Sequence, residues 1–240
     1  GLATFDYQLQ VVSGLNANGF DRNNWAGEAK QGIFEEENFT SPGYVAHLAW
    51  RGVQGLRLGG SFYYCRNIGS NADKSQTYKG LGTFPIRIYN VEGQYRNRYV
   101  EARANALWGN LTNSQVISKK NTMLSNKSPY SRITPVAHKA VAYGGEIGIK
   151  LNSLIADERC PQITPFVRYE YYNPQEDVLK PYNADDRLKT SLWTAGVNWH
   201  PLPELVVKAD YTNRSISSGK YNSENEFAIG IAWTGWLFSK

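Results

Sequence analysis

A strict alternation of apolar and polar side chains is the feature of this chain that most constrains its fold. In the stretch SLWTAGVNWHPLPELVVKADYTNR, residues 191–214, apolar residues recur at every second position on both sides of a Pro-containing turn. A period of two predicts strands with one apolar and one polar face. About ten such segments follow one another, each close to the 9–11 residues of a strand that crosses a bilayer at a tilt. No helical period of useful length occurs, so the sequence predicts an all-β fold.

The connections between these segments alternate between long and short. The long polar connections are residues 14–42, 66–84, 109–135 and 173–188, and residues 213–223 form a shorter one of the same parity. Between them lie the tight turns RGVQG, RNR and HPLPE and the somewhat longer NSLIADERCP. The loop lengths of a β-sandwich do not alternate in this way, whereas outer-membrane β-barrels have long loops outside the cell and short turns in the periplasm. The parity predicts an antiparallel transmembrane β-barrel of the bacterial outer membrane, with both termini of this segment on the periplasmic side.

The membrane setting decides which solvent each face of the sheet meets. A backbone in hydrocarbon must satisfy its hydrogen bonds internally, so a spanning sheet closes on itself and turns its apolar face towards lipid. The polar face then lines an aqueous interior, and its charged residues are predicted to be pore-lining: Arg57, Glu92, Glu101, Arg103, Glu146, Lys150, Arg168, Glu170, Lys208, Asp210 and Glu226. Tyr and Trp residues at strand ends match the interfacial girdles of such barrels. The predicted lipid-facing girdle comprises Trp50, Tyr64, Trp108, Tyr171, Trp193, Trp199, Tyr211 and Trp233. In a soluble core so many charges would each cost several kcal/mol unless paired, which disfavours the alternative of a secreted β-sandwich or lectin-like domain.

Composition excludes several function classes. The mean hydropathy is −0.50, and no stretch approaches the roughly 18 continuous apolar residues of a membrane helix, which excludes a helical membrane protein but not a barrel. The formal charge of +5 is scattered among acidic residues instead of forming a basic stripe with aromatic residues, so no nucleic-acid partner is expected. The chain opens GLATFDYQLQ, without the pattern of a secretory leader. Either a leader was removed or the sequence is the later part of a longer polypeptide. Residues 1–240 are therefore predicted to form a single barrel domain, either complete or the C-terminal portion of a longer barrel.

The final quarter of the chain carries a family resemblance. The segment SLWTAGVNWHPLPELVVKADYTNR followed by NEFAIGIAWTGWLF resembles the end of the phosphate-selective porin O and P family. There, a Pro-containing turn precedes a V-V-K-A-D-Y strand, and an N-E-F-headed strand ends the chain. Residues 5–21, FDYQLQVVSGLNANGFD, are similar to a mid-barrel segment of the same group, especially its Bacteroidetes members. The resemblance implies a trimeric diffusion channel of the Gram-negative outer membrane with about 16 strands. Because about ten strands are visible here, it favours the C-terminal part of a longer barrel.

The expected function is passive diffusion of small hydrophilic solutes, or of anions such as phosphate. In the family, anion preference comes from basic residues in the pore, whereas the predicted pore-lining set mixes both signs, so general porin activity is the stronger expectation. The expected partners are outer-membrane lipid and lipopolysaccharide, the diffusing solutes, and either further copies in a homotrimer or other outer-membrane subunits. Two alternatives stay open. One is a structural barrel that docks a partner subunit. The other is a ten-stranded outer-membrane hydrolase, which would need a convergent Ser–His or Asp–His set, such as His138 with Ser or Asp residues of the long connections.

The remaining chemistry-bearing residues point to no cofactor. His47, His138 and His200 lie in different strands or strand ends without ligand spacing, so no metal site and no catalytic residue are predicted. Cys65 ends a strand on the outer side and Cys160 lies in a periplasmic connection, about ten residues of rise away, so both are predicted to be unpaired. Residues 21–41, DRNNWAGEAKQGIFEEENFTS, carry both charge signs. They could fold into the lumen, contact a partner or stay solvated, and the pattern favours a solvated loop.

Overall fold

Ten antiparallel strands pair in chain order to form one sheet. The computed structural model describes residues 4–25, 39–72, 78–124, 126, 132–155, 161–202 and 204–233. The strands are β1 (Phe5–Val12), β2 (Gly43–Val53), β3 (Leu56–Cys65), β4 (Ile86–Arg96), β5 (Val100–Leu111), β6 (Lys139–Ile149), β7 (Gln162–Asp177), β8 (Thr190–Leu202), β9 (Leu205–Ile216) and β10 (Ser223–Trp233). The predicted all-β antiparallel fold and the number of strands are confirmed. Within the described residues β1 and β10 each pair with one neighbour, which leaves the sheet with two open edges.

The connections follow the predicted parity but differ from the prediction in their bounds and in one element. The third long connection contains a helix, α1 (Ser114–Asn121), where the sequence predicted loop. Strand β7 runs to Asp177, although the sequence predicted a loop from residue 173. The short turn between β2 and β3 needs a glycine at position 55. Gly55 has a φ of +79°, and a Cβ there would lie 2.1 Å from the Arg96 carbonyl oxygen.

No helix in the described ranges is both long and apolar enough to span a membrane.

The two faces of the sheet differ in chemistry along its whole width. Paired residues of adjacent strands project to the same face, and the register pairs Arg103 with Glu146 and Glu146 with Arg168, so one face collects the charged side chains. The opposite face is apolar and open, with Tyr7 81% and Ile231 73% exposed. An apolar surface of this extent is typical of a face that another molecule or a membrane covers.

Aromatic side chains on the apolar face form two parallel rows. The upper ring row, towards the long connections, contains Tyr44, Tyr64, Tyr89, Trp108, Tyr143, Tyr171, Trp193, Tyr211 and Phe227, and the lower ring row, towards the short turns, contains Trp50, Tyr95, Trp199 and Trp233. Neighbouring rings of the upper row touch, as where Tyr89 stacks on Trp108 at 5.6 Å between ring centroids.

The register gives the inclination of both ring rows. From β2 to β10 each row moves eight residues towards the short-turn end, which is one residue for every strand crossed. With ~3.4 Å of rise per residue and ~4.8 Å between strands, the rows make an angle of about 35° with the perpendicular to the strands.

The buried apolar core lies on the charged face, at its upper end. Ile86 and Leu111 from the strands are fully buried there, together with residues of the long connections, including Ala17, Phe20, Trp25, Ile68, Ala72, Tyr78, Phe84, Ile117, Val136 and Ala137. We call these connection residues the loop core. The polar face is therefore divided into an upper part covered by the loop core and a lower, charged part.

Candidate functional site

The charged part of the polar face contains a recess of about 610 Å³. We call it the central recess; its lining includes Arg57, Asn90, Glu92, Gln94, Arg103, Asn105, Gly144, Glu146, Arg168 and Glu170, on strands β3 to β7. These residues share one face because each occupies a polar position in the period-two pattern of its strand. The volume lies within the ~300–1,000 Å³ of sites that hold small molecules.

Glu146 is the centre of the ion-pair network in the recess. Its carboxylate accepts hydrogen bonds from Arg168 Nε at 2.7 Å and from Arg103 Nη2 at 3.3 Å. Arg168 also lies 3.9 Å from Glu170. The side chain of Glu146 is only 19% exposed, so the two guanidinium groups compensate a charge that is partly removed from water.

The other charges of the recess and its lower edge are paired as well. Arg57 lies 3.4 Å from Glu92 on the neighbouring strand. Towards the short turns, Glu101 contacts Arg96 at 3.3 Å and Lys150 at 3.8 Å. Each cation therefore has a carboxylate close by, and this part of the face offers both signs of charge side by side.

A second charged group lies on β8 to β10. Lys208 contacts Asp210 at 3.2 Å and lies 5.2 Å above the Phe166 ring. Phe166 is buried on the polar face, where its ring packs on Gly196 of the neighbouring strand. A Cβ at Gly196 would lie 2.7 Å from this ring, so a glycine leaves room for it. Higher on the same wall Arg214 contacts Glu224 at 3.4 Å.

All eleven predicted pore-lining residues lie on the polar face, and the structure gathers six of them into the central recess. Those six are Arg57, Glu92, Arg103, Glu146, Arg168 and Glu170. Glu101 and Lys150 lie below it, and Lys208, Asp210 and Glu226 lie on β9 and β10. All eight predicted girdle residues lie in the two ring rows. Their roles as pore lining and lipid-facing girdle stay predictions.

Sequence reasoning singled out the charges of the recess and missed its amides. Asn90, Gln94 and Asn105 point into the recess from β4 and β5. They occupy the same polar positions as the charged residues, so the signal was present in the alternation.

The first long connection reaches across the polar face to β5. Leu15 donates its backbone N–H to the Tyr63 hydroxyl of β3 at 3.0 Å. Asn121 of α1 donates its side-chain amide to the Phe20 carbonyl at 2.6 Å. Trp25 donates its indole N–H to the Ala137 carbonyl at 2.9 Å, and its ring lies against Gly109 of β5. Residues 13–25 therefore cover the upper ends of β3 to β5.

This placement corrects in part the expectation of a solvated loop for residues 21–41: Asn23, Asn24, Phe39 and Thr40 are exposed, as expected, whereas three other described residues are buried. Asp21 is 6% and Trp25 8% exposed, and Ser41 is 7% exposed. The physical reason is the apolar surface that Ile86 and Leu111 present at the top of the polar face, which Phe20 and Trp25 cover. Residues 26–38 lie outside the described residues.

Arg22 connects this segment to two other long connections, one between β5 and β6 and one between β7 and β8. Arg22 donates its backbone N–H to the Ile133 carbonyl at 3.1 Å, and its guanidinium lies 3.8 Å from Asp185. Hydrogen bonds from the Arg187 side chain, with the charges of Arg187 and Arg22, lower the pKa of Asp185 from its ordinary 3.8 to about 2.

The histidines and cysteines of the described ranges form no metal cluster. His47 Nδ1 shares a hydrogen bond of 2.9 Å with Ser61 Oγ, and His138 Nδ1 shares one of 2.8 Å with the Leu111 carbonyl. Cys65 is a free, buried thiol, as predicted. Cys160 lies outside the described residues.

Comparison with known proteins assigns no family. No protein-family model matches the chain, and no curated protein matches it, so the resemblance to the phosphate-selective porin family gains no support from either. Among solved structures, a Pseudomonas aeruginosa FadL homologue aligns with 95% of this chain at 11% identity and a TM-score of 0.38. The alignment spans 59% of that protein's length. A TM-score of this size assigns no shared function.

Proposed function

We propose that this chain forms the wall of an outer-membrane channel through which small hydrophilic solutes diffuse. The observation that carries the proposal is the pair of inclined ring rows on an open apolar face, opposite a face that gathers ion pairs into a recess. In outer-membrane barrels an apolar band between two aromatic girdles faces lipid, and the interior is polar.

The inclination of the ring rows supports a membrane setting in quantitative terms. Interfacial rings lie at the level of the lipid headgroups, so a girdle runs perpendicular to the barrel axis, and its drift along the strands measures the strand tilt. The drift of one residue per strand gives a tilt of about 35°, which falls in the 35–45° range of outer-membrane barrels. The two rows are six residues apart on β2, β4, β8 and β10. At this tilt, six residues separate the rows by about 17 Å along the axis, most of the ~25 Å apolar band of such barrels.

A membrane setting also requires partners for the two edges of the sheet. The open N–H and C=O groups of β1 and β10 would each cost several kcal/mol in hydrocarbon. We therefore propose that the edges pair with each other or with further strands. The short turns then face the periplasm, together with both ends of the described sheet. The remaining proposed contacts are outer-membrane lipid and lipopolysaccharide at the ring rows, and further copies or other subunits on the apolar face.

Single-channel recording of the purified protein in a planar bilayer tests this function. A channel gives steady ohmic current steps, and the reversal potential under a salt gradient should be close to zero because the recess charges are balanced. Absence of any current from protein that is shown to be folded and inserted would contradict the proposal.

The loop core favours a second candidate, a structural barrel that docks a partner. It covers the upper ends of β3 to β6 with fully buried residues such as Phe20 and Ile117, and such a cover narrows the mouth. The same recording separates the two functions, since a sealed scaffold carries no steady current, whereas a channel with a narrowed mouth does.

A further inference from the structure

We infer that the central recess binds a neutral, hydroxyl-rich solute such as a short sugar, in preference to an inorganic anion. This inference rests on the proposed channel function for its physiological meaning, and it names the class of solute that the channel retains. Two features of the recess carry it: the balance of its charges and the amides that lie between them.

The charges of the recess are already neutralised within it. Its three guanidinium groups each lie within 4.0 Å of a carboxylate: Arg57 is 3.4 Å from Glu92, Arg103 is 3.2 Å from Glu146, and Arg168 is 2.5 Å from Glu146. An incoming phosphate would have to approach these guanidinium groups beside carboxylates of its own sign. Like-charge repulsion at this range opposes binding. A simple cation meets the same difficulty from the guanidinium groups.

The amides of the recess, in contrast, have no hydrogen-bond partner in the part of the chain that the structure describes. Within the described ranges, the side chains of Asn90, Gln94 and Asn105 make no hydrogen bond to another residue, so both their donors and their acceptors are open to a solute. The register places Gln94 opposite Arg103, and Asn105 opposite Glu92, so amides and charged groups alternate across the strands. A hydroxyl group both donates and accepts, so a sugar can satisfy an amide and a neighbouring charged group together. Most oxygen atoms of an inorganic phosphate only accept, so phosphate matches the acceptors of this set less well than a sugar does.

Beside Asn105 the recess places an amide next to a carboxylate. Gly144 pairs with Asn105, and a Cβ there would lie 2.8 Å from the Tyr169 carbonyl oxygen and 3.2 Å from Glu170 Cγ. The Glu170 side chain therefore lies over the glycine, on the side of the recess that faces Asn105. Hydroxyl groups of one sugar can donate to this carboxylate and exchange hydrogen bonds with the amide.

Saturation-transfer NMR on the full chain in lipid nanodiscs tests the inference, with maltotriose and inorganic phosphate as the two probes. We expect saturable maltotriose binding that phosphate does not displace. The double variant Asn105→Ala, Gln94→Ala should weaken maltotriose binding by about fivefold for each amide removed, the value of one neutral hydrogen bond. The matched control is Asn198→Ala. It removes an amide that lies on the same polar face of the sheet, on β8, but outside the recess.

Three outcomes would overturn the inference: no saturable maltotriose binding, displacement of maltotriose by phosphate, or equal loss in the double variant and the control. The comparison of maltotriose with phosphate uses the unaltered protein, so it decides the matter even if the double variant does not fold. Conductance of the same purified protein in a planar bilayer separates this result from the proposed function. Current without sugar binding refutes the site alone, and sugar binding without current refutes the channel alone.

Discussion

Adding one methyl group at Gly109 should expel Trp25 from the polar face. A Cβ at Gly109 would lie 2.3 Å from Cζ3 and 2.4 Å from Cη2 of the Trp25 ring, whereas carbon atoms in contact are ~3.5–4.0 Å apart. In Gly109→Ala the ring must retreat by more than about 1 Å. It cannot do so while keeping its 2.9 Å hydrogen bond to the Ala137 carbonyl and its edge contact with Phe20.

The expected cost follows from these contacts. Overpacking of this kind costs about 1–3 kcal/mol, and the lost hydrogen bond adds about 1 kcal/mol. We therefore expect the loop core of Gly109→Ala to be destabilised by about 2–4 kcal/mol relative to the unaltered protein. The sheet itself should remain folded, because its ladder does not depend on Trp25.

Trp25 fluorescence and channel conductance report the change. The emission of Trp25, taken as the difference between each protein and its Trp25→Phe counterpart, should shift to the red and become accessible to iodide. Single-channel conductance should rise as the mouth opens. The matched control is Gly230→Ala, since a Cβ at Gly230 meets no atom within 4 Å.

The result that would refute this reasoning is equality of the two variants. If Gly109→Ala and Gly230→Ala show the same Trp25 emission and the same conductance, residues 13–25 do not pack on the polar face of β5.

Three further predictions test the faces and the charges. Ile229→Lys places a charge on the apolar face and should lower the free energy of unfolding, measured in urea from vesicles, by about 2–4 kcal/mol. The control Ala228→Lys, on the polar face, should lower it by less than about 1 kcal/mol. Equal losses would contradict a lipid-facing role for the apolar face. Glu146→Gln leaves two guanidinium groups with a weaker acceptor and should destabilise the protein by about 1–3 kcal/mol, more than Glu226→Gln does. Both variants should shift the reversal potential in the direction of anion selectivity. If neither variant shifts it, the polar face does not line the ion path. Asp185 has a folded-state pKa of about 2, below its unfolded value of 3.8, so its ionised form stabilises the fold above about pH 4 and this contribution disappears as the pH falls through about 2. The difference in melting temperature between the unaltered protein and Asp185→Asn should therefore shrink from pH 4 to pH 2, and a constant difference would argue against the Asp185 contacts.

Part of the site could be predicted because it follows from the alternation of side chains along each strand. In a strand, successive side chains point to opposite faces, so the positions of Arg103, Glu146 and Arg168 in their strands already put them on one face. Their contact also needed the register, and between β5 and β6, which a long connection joins, only the structure gives the pairing of Arg103 with Glu146. The amides of the recess occupy equivalent positions, and attention to the unpaired polar residues between the charges would have found them.

The loop core could not be predicted in the same way. Phe20 and Trp25 belong to the β1–β2 connection, and Ile117 and Val136 belong to the β5–β6 connection. Neither connection has a period that reveals which residues are buried. Their polar composition suggested solvation. The apolar patch that Ile86 and Leu111 form is also invisible in either strand alone, because the two residues become neighbours only when β4 pairs with β5.

The sequence by itself determined the number of strands, the division of the sheet into an apolar and a charged face, and the face that carries the ring rows, because a period of two needs no tertiary information. Only the tertiary structure decided the inclination of those rows, the pairing of the charges around Glu146 and the packing of residues 13–25 onto β3 to β5. These features depend on which residues of different strands and connections lie beside one another, and the register and long-range packing set that arrangement.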